Sequence, residues 1–377
     1  MKKKNISPDL DTIMPLLIKY WRKVGKNPGP EDRLQTREFR SVTEGVVKLQ
    51  KRFDYSEDPD LLDACLLYYW PLHYQQALSI LGELPTPPHR VLDVYSGLAP
   101  MSFAALRHGA GEVIAADPML DLPAHGAKIC GQYGMTLTPR KWNPLKGACP
   151  VEGKFDLIIV GHILQSRVSS PEEYFSLIKK LTQLLTDDGM LVLIERSDNA
   201  INQSVLKLRD LLVNDGYPIQ APCVWKGNCP ALQAKSVCYA QREYEIHPLL
   251  KEFQRSAKIN LGSLKMSYLI AKNPKSEWPK LTHSPAYRII SPPFESFRGK
   301  SYYLCGTDGK KKLTSALEKH PKPSRAFDYL KRGELISFED ASGDRDYEVS
   351  ENTKIKIEAA LGKPLPSEEK DDFGDEW

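Results

Sequence analysis

Four cysteines in the second half of the sequence carry its most distinctive chemistry. Cys223 and Cys229 enclose a segment containing Trp225 and Gly227, Pro230 follows at once, and Cys238 lies a little further on. Three thiols on a short loop with Gly and Pro can turn towards one centre without a regular scaffold. Such a centre needs a fourth ligand, and Cys305, at the strand-to-turn junction Tyr303-Leu304-Cys305-Gly306, is the best candidate. Four thiolates suit tetrahedral zinc or an iron–sulfur cluster, and the spacing matches neither the close cysteine pairs of zinc ribbons nor the runs of ferredoxins. Unligated, the same thiols would be ordinary small buried side chains. Cys65, Cys130 and Cys149 lie on or beside helical and apolar stretches and read as core or incidental.

A second constellation begins at Val91-Leu92-Asp93-Val94-Tyr95-Ser96-Gly97-Leu98-Ala99, which passes from a β-type run into a helical one. Small residues at such a turn let the backbone approach a ligand, and the helix N-terminus supplies N–H donors. Asp117 ends the next β-type run, where a carboxylate can accept both hydroxyls of a ribose; otherwise it is a solvated strand-end charge. Together these resemble the S-adenosylmethionine methyltransferase fold. Asp156, in Phe155-Asp156-Leu157-Ile158-Ile159-Val160-Gly161-His162, matches the fourth-strand pattern of that fold, and Leu185-Thr186-Asp187-Asp188-Gly189-Met190 matches the turn entering its fifth strand. The candidate cofactor residues are therefore Asp93, Ser96, Gly97, Asp117 and Asp156, with S-adenosylmethionine as the cofactor implied.

The loop departs from the pattern at two places: Tyr95 stands where the first glycine is usual, and Ala99 where the third is. A tyrosine there is expected to obstruct the methionine pocket or to resist the backbone conformation the loop needs. His162 reads as a satisfied core or rim histidine. No Asn-Pro-Pro-Tyr motif and no nucleophilic cysteine motif is present. Methyl transfer depends chiefly on proximity and orientation, so a missing base does not decide the matter.

The elements that must position these residues follow from periodicity. Residues 10–24, 30–53 and 59–84 carry apolar side chains at helical spacing, and Pro85-Thr86-Pro87-Pro88 ends that region. Strands at 90–96, 112–117, 136–141, 155–161 and 190–196 then alternate with helices at 99–108, 120–133, 171–185 and 202–215. Such alternation predicts an α/β protein with a doubly wound parallel sheet. The cysteine-bearing insertion spans 218–242, a further strand is expected at 265–271, and short β-type runs follow at 287–290, 301–305, 335–338 and 354–357. The expected organisation is a helical domain (1–85), a methyltransferase-like Rossmann domain (86–275), a small β-rich domain (276–360) and an acidic tail (361–377).

Composition bounds the function classes. The chain has 377 residues, 41% hydrophobic and 27% charged, enough for a large core, and no run approaches the ~20 apolar residues of a membrane span. Met1-Lys2-Lys3-Lys4, with Asp9 and Asp11 close behind, lacks the apolar core of a secretory signal and the acid-poor character of a transit peptide. A cytoplasmic location is expected, which turns the cysteines towards metal or thiolate chemistry rather than disulfides. The net charge of +4 conceals a basic stretch from Arg288 to Arg332 that includes Lys310, Lys311 and Lys312. A phosphate backbone would suit it, as would an ordinary solvated face.

The order of these parts resembles the Rsm-type family, methyltransferase-like proteins associated with the mitochondrial small ribosomal subunit, with bacterial and archaeal relatives. The resemblance rests on Tyr69-Trp70-Pro71-Leu72-His73-Tyr74, Glu195-Arg196, Arg209-Asp210-Leu211-Leu212, Ala221-Pro222-Cys223, Cys229-Pro230, Cys238-Tyr239-Ala240-Gln241-Arg242, Ser267-Tyr268-Leu269-Ile270 and Arg288-Ile289-Ile290-Ser291-Pro292-Pro293. It implies a [4Fe–4S] cluster on Cys223, Cys229, Cys238 and Cys305, favoured over zinc. It also implies binding to the small ribosomal subunit and its rRNA during assembly; away from the ribosome the chain is expected to be monomeric.

Overall fold

The computed structural model describes residues 6–26, 28–51, 61–320, 322 and 324–365. Two helices open the chain, α1 (Leu10–Gly25) and α2 (Thr36–Lys51). A third helical stretch runs from α3 (Leu62–Ala64) through a π turn (Cys65–Tyr69) into α4 (Trp70–Leu81). The start of the helix expected at 59–84 and most of the expected acidic tail lie outside the described residues. Helix α2 begins later than its apolar spacing predicts because the segment before it serves the buried Arg22. That guanidinium donates to the carbonyls of Pro30 and Arg33 and pairs with Glu38 at 2.8 Å.

Strands and helices then alternate as β1 (Arg90–Val94), α5 (Pro100–Arg107), β2 (Glu112–Asp117), α6 (Asp121–Gln132), β3 (Thr138–Lys141), β4 (Phe155–Gly161), α7 (Pro171–Thr182), β5 (Leu185–Glu195) and α8 (Asn199–Asn214). The cysteine segment contributes β6 (Ile219–Ala221), α9 (Pro230–Gln233) and β7 (Ala240–Arg242), followed by α10 (Pro248–Ser256) and β8 (Leu264–Lys272). The sheet order is β3-β2-β1-β4-β5-β8-β6, with β7 also paired to β8. Its first five strands are parallel, and β8 joins antiparallel to β5.

Both faces of the parallel part are covered, which is why its strands read as unbroken apolar runs. Along β4, Leu157 and Ile159 enter one core while Ile158 and Val160 enter the other, the period-two alternation of a strand. The first core also takes Leu17 of α1, Leu78 of α4, Phe103 of α5 and Ile129 of α6, so the N-terminal helices share the core of the sheet. The second takes Leu177 of α7 and Leu208 of α8. Strand order reverses between β1 and β4, and ligands of such sheets sit at that point, beyond the carboxyl ends of the strands. The fold is the expected Rossmann-like methyltransferase type.

The C-terminal strands are β9 (Tyr287–Ile289), β10 (Phe294–Ser296), β11 (Gly299–Gly306), β12 (Gly309–Thr314), β13 (Leu335–Glu339), β14 (Asp346–Glu348) and β15 (Lys354–Ala359). They form a second sheet in the order β14-β12-β11-β9-β13-β15, with β10 on β11. It closes over Tyr287, Tyr302, Leu304, Leu313, Phe327 and Ile336. Buried Arg288 ties this sheet to the cysteine segment, its Nε donating to Pro222 O at 3.0 Å and its Nη1 to Gly333 O at 2.8 Å. Among the described residues, no helix is long and apolar enough to cross a membrane.

Candidate functional site

A cleft with about 870 Å³ of empty space, open solvent included, lies at the β1/β4 switch point. Its floor is the turn between β1 and α5. Tyr95, Gly97 and Ala99 all adopt left-handed conformations, with φ of 57°, 52° and 59°. The expected resistance of Tyr95 to the loop backbone is therefore overcome: tyrosine and alanine hold what glycine would adopt freely, a strained arrangement that surrounding packing must enforce. Two such constraints are visible. The Trp70 indole Nε1 donates to Leu98 O at 3.0 Å, and α6 crosses so closely at Gly126 that a Cβ there would meet that of Ala99 at 2.6 Å.

Asp93, Ser96, Gly97 and Asp117 all line this cleft. Asp117 accepts the Gly97 N–H at 3.2 Å and the Met119 N–H at 2.9 Å, and burial raises its pKa above the usual carboxylate value. Asp93 is committed to the start of α5, where Ser102 donates its N–H at 3.0 Å and its hydroxyl at 2.6 Å; burial lifts its pKa to about 7. The buried Ser96 hydroxyl has no hydrogen-bond partner. Asp156 is placed elsewhere. It sits at the amino end of β4 and accepts the His89 and Arg90 N–H groups at 3.1 and 2.8 Å, so it fastens the amino ends of the central strands β1 and β4 and does not line the cleft.

The opposite wall comes from the helical head. Cys65, Tyr69 and His73 recur every fourth residue and line the cleft, and Cys65 also packs against the first core as expected. The His73 ring stacks on that of His162, with centroids 4.1 Å apart and planes at 22°. Burial lowers the pKa of His73 to about 4 and that of His162 well below the usual imidazole value, with His73 adding to the second effect. His162, at the carboxyl end of β4, has φ of 58° and two buried ring nitrogens without hydrogen-bond partners. It is thus not the satisfied histidine expected. Beneath it, buried Glu195 accepts the N–H groups of Ile163 at 2.9 Å and Leu164 at 3.1 Å, and burial pushes its pKa up to about 8. In the sequence Glu195 stands out only as part of the Glu195-Arg196 pair that closes an otherwise apolar strand, a pattern that assigns it no role in the cleft.

The cysteine segment is held by helix α8. Asn202 exchanges hydrogen bonds with the Cys238 backbone, accepting its N–H at 3.0 Å and donating to its carbonyl at 2.8 Å. A turn or two further along, the buried Arg209 guanidinium donates to the carbonyls of Trp225 and Gly227, and Asp210 accepts the Cys229 N–H. Cys305 arrives from the second sheet on β11. Burial raises the pKa of Cys305 well above the usual thiol value, and the charges of Cys223, Cys238 and Cys229 add to it. Cys238 is pushed to about 12 by burial and then by Cys223 and Cys229, against Arg332 and Lys310. The four thiols are therefore near enough to feel one another, and all are free of disulfides. Among the described residues, no three His, Cys, Asp or Glu side chains are grouped so as to hold a single metal ion.

The basic stretch is not a free cationic strip. Arg288 is buried, Lys311 pairs with Asp308 at 3.2 Å, Lys312 with Asp346 at 2.9 Å and Lys300 with Asp328 at 3.1 Å. Lys310 instead lies over the Tyr303 ring, 4.5 Å from its centroid.

Among solved structures, the chain is similar to the ribosomal protein L11 methylase of Lactobacillus delbrueckii subsp. bulgaricus, at 21% identity over 40% of this chain and 71% of that one, with a TM-score of 0.31. It is also similar to the N-methyltransferase NodS of Bradyrhizobium japonicum WM9 in complex with S-adenosyl-L-homocysteine (12% identity, 63% and 98% coverage, TM-score 0.37). A third is the magnesium protoporphyrin IX methyltransferase ChlM of Synechocystis PCC 6803 (14%, 67% and 92%, TM-score 0.33). No curated protein matches the sequence. The profile of the family described as mitochondrial small ribosomal subunit Rsm22 matches residues 111–326, more than half of the chain and all four clustered cysteines. This chain belongs to that methyltransferase-like family of the small ribosomal subunit.

Proposed function

We propose that the chain is a small-subunit assembly or translation factor that contacts ribosomal RNA and carries a [4Fe–4S] cluster on Cys223, Cys229, Cys238 and Cys305. The observation that carries this reading is four free cysteines whose thiols lie within electrostatic reach of one another, three on the loop segment held by Asn202, Arg209 and Asp210 and the fourth on β11. Neutral thiols gathered in a buried place gain little from one another, whereas a metal centre takes them as thiolates and returns binding energy as folding energy. A zinc ion needs each sulfur about 2.3 Å away. A [4Fe–4S] cluster takes the same four thiolates, one on each iron, and metal analysis distinguishes the two. Arg209, Arg332 and Lys310 supply the positive charge that four thiolates require. A group at that position would lock the second sheet to the first and make the RNA-contacting form depend on iron supply.

The cleft suits S-adenosylmethionine, whose sulfonium supplies an electrophilic methyl group. Asp117 would take the ribose hydroxyls through lone pairs not used by Gly97 and Met119, and Ser96 would gain the partner it lacks. A second reading, methylation of ribosomal RNA, is favoured by one observation: His162 faces the same cleft with both ring nitrogens unpartnered and its imidazole held neutral. Co-sedimentation with small ribosomal subunits tests the first reading. Wild type should travel with the subunit and Cys229→Ser should not; a wild-type chain that stays free in solution removes it.

A further inference from the structure

The hairpin formed by β10 and β11 carries aromatic rings that the fold does not bury. Ser296 pairs with Gly299, leaving Phe297 and Arg298 alone at its tip. Phe297 is 85% exposed, and the Arg298 guanidinium lies 5.2 Å from its ring centroid. Three residues back, a span of roughly 10 Å at the rise of a strand, Phe294 stacks on Tyr303 across the hairpin with centroids 4.7 Å apart and planes at 26°. Tyr303 is 40% exposed and receives the Lys310 ammonium at 4.5 Å. Rings and cations therefore interleave on one hairpin; Arg298 also pairs with Glu348 at 3.1 Å, as the neighbouring Lys311 and Lys312 pair with Asp308 and Asp346, which leaves Lys310 as the cation beside the rings.

We propose that this hairpin is a stacking platform for unpaired bases of single-stranded RNA. The proposal rests on the RNA-contact reading above and moves the contact from the linear run of lysines to the aromatic hairpin. Every base has a π face, so exposed rings accept them without regard to sequence, and adjacent cations meet the phosphates between. Duplex RNA offers no free base faces and is read by shape and backbone instead. The hairpin also sits where its order matters. Tyr303 and Cys305 alternate with buried Leu304 along β11, so the strand that presents a stacking ring also delivers the fourth thiol to the junction.

The test is fluorescence anisotropy on the full-length protein with a short single-stranded RNA and with the same RNA annealed to its complement. Variants Phe297→Ala and Tyr303→Ala are compared with Phe297→Trp, and circular dichroism checks that each is folded; the tip residue can be changed without disturbing any core. Loss of one stacking ring should weaken single-strand binding about 10-fold, at 1–3 kcal/mol per stacked base. The salt dependence should be unchanged in Phe297→Ala, where Lys310 keeps its place over Tyr303, and Phe297→Trp should retain affinity. Wild-type binding that neither alanine variant alters would overturn the platform and assign the exposed rings to a protein partner. Equal weakening on the duplex would overturn base stacking. No wild-type binding to either RNA would remove the RNA-contact reading itself, and the platform with it.

Discussion

Asp210 accepts the backbone N–H of Cys229 with both carboxylate oxygens at 3.0 Å, while its neighbour Arg209 grips the same loop by the carbonyls of Trp225 and Gly227. Two consecutive residues of a sheet-packing helix thus set the path of the loop that carries the thiols. Arg209 is also ion-paired with Asp210 at 2.7 Å and is 1% exposed, so its planar fork cannot be replaced by a point charge. Arg209→Lys should lower the iron bound per chain and cost about 2 kcal/mol of stability by leaving a buried carbonyl unsatisfied. Metal analysis beside thermal unfolding checks both; full iron occupancy in the variant would show that the loop holds its path unaided.

Two aspartates separate the cleft from the sheet architecture. Asp117 lines the cleft and Asp156 lies at the opposite end of the strands. Asp117→Ala should weaken S-adenosylmethionine binding at least ~10-fold, the worth of roughly one charge-assisted hydrogen bond. Asp156→Ala should leave that affinity unchanged and lower stability by about 1 kcal/mol. Calorimetry on both proteins decides, and equal losses would mean that the cleft is not where the cofactor sits.

Glu195 makes stability pH-dependent in a direction opposite to an ion-paired acid. Its pKa rises from 4.5 unfolded to about 8 folded, because burial penalises the charged form more than the Ile163 and Leu164 N–H groups stabilise it. The folded state therefore holds the proton more tightly. This contribution is fully present below pH ~4.5 and is lost as pH rises towards about 8. Glu195→Gln keeps an oxygen acceptor for the two N–H groups and cannot ionise. It should match wild type near pH 5 and unfold at a higher temperature near pH 8.5, as differential scanning fluorimetry would record. A constant offset across that range would contradict a buried, protonated acid.

Periodicity revealed most of the parallel sheet because each of its strands is covered on both faces, and apolar runs such as Leu157–Val160 have no other economical reading. It was blind where main-chain pairing overrides side-chain pattern. Lys310-Lys311-Lys312 reads as part of a basic stretch, yet register with β11 makes it a strand on which only Lys310 is exposed while Lys311 and Lys312 pair with Asp308 and Asp346. Helix α10 was hidden by the charges around Leu250 and Phe253, its two buried anchors. The four thiols and Asp93, Ser96, Gly97 and Asp117 were visible as residue types at telling positions. Asp156 misled because a carboxylate one residue into a strand can face either end of a sheet, and only the main-chain donors it meets fix which. His73 and His162 could not be joined beforehand, since their contact depends on how the helical head crosses the switch point.

The claim on which the account turns is that Cys223, Cys229, Cys238 and Cys305 act as one centre. Anaerobic purification followed by iron, zinc and sulfide analysis and a visible absorption spectrum, on wild type and Cys229→Ser, measures it directly. The account predicts a brown wild-type protein with iron and sulfide each near about four per chain, both lost in the variant. A colourless protein with one zinc would contradict the cluster while leaving a shared metal centre. A wild-type chain with no metal would contradict the centre itself and leave the four cysteines as free thiols.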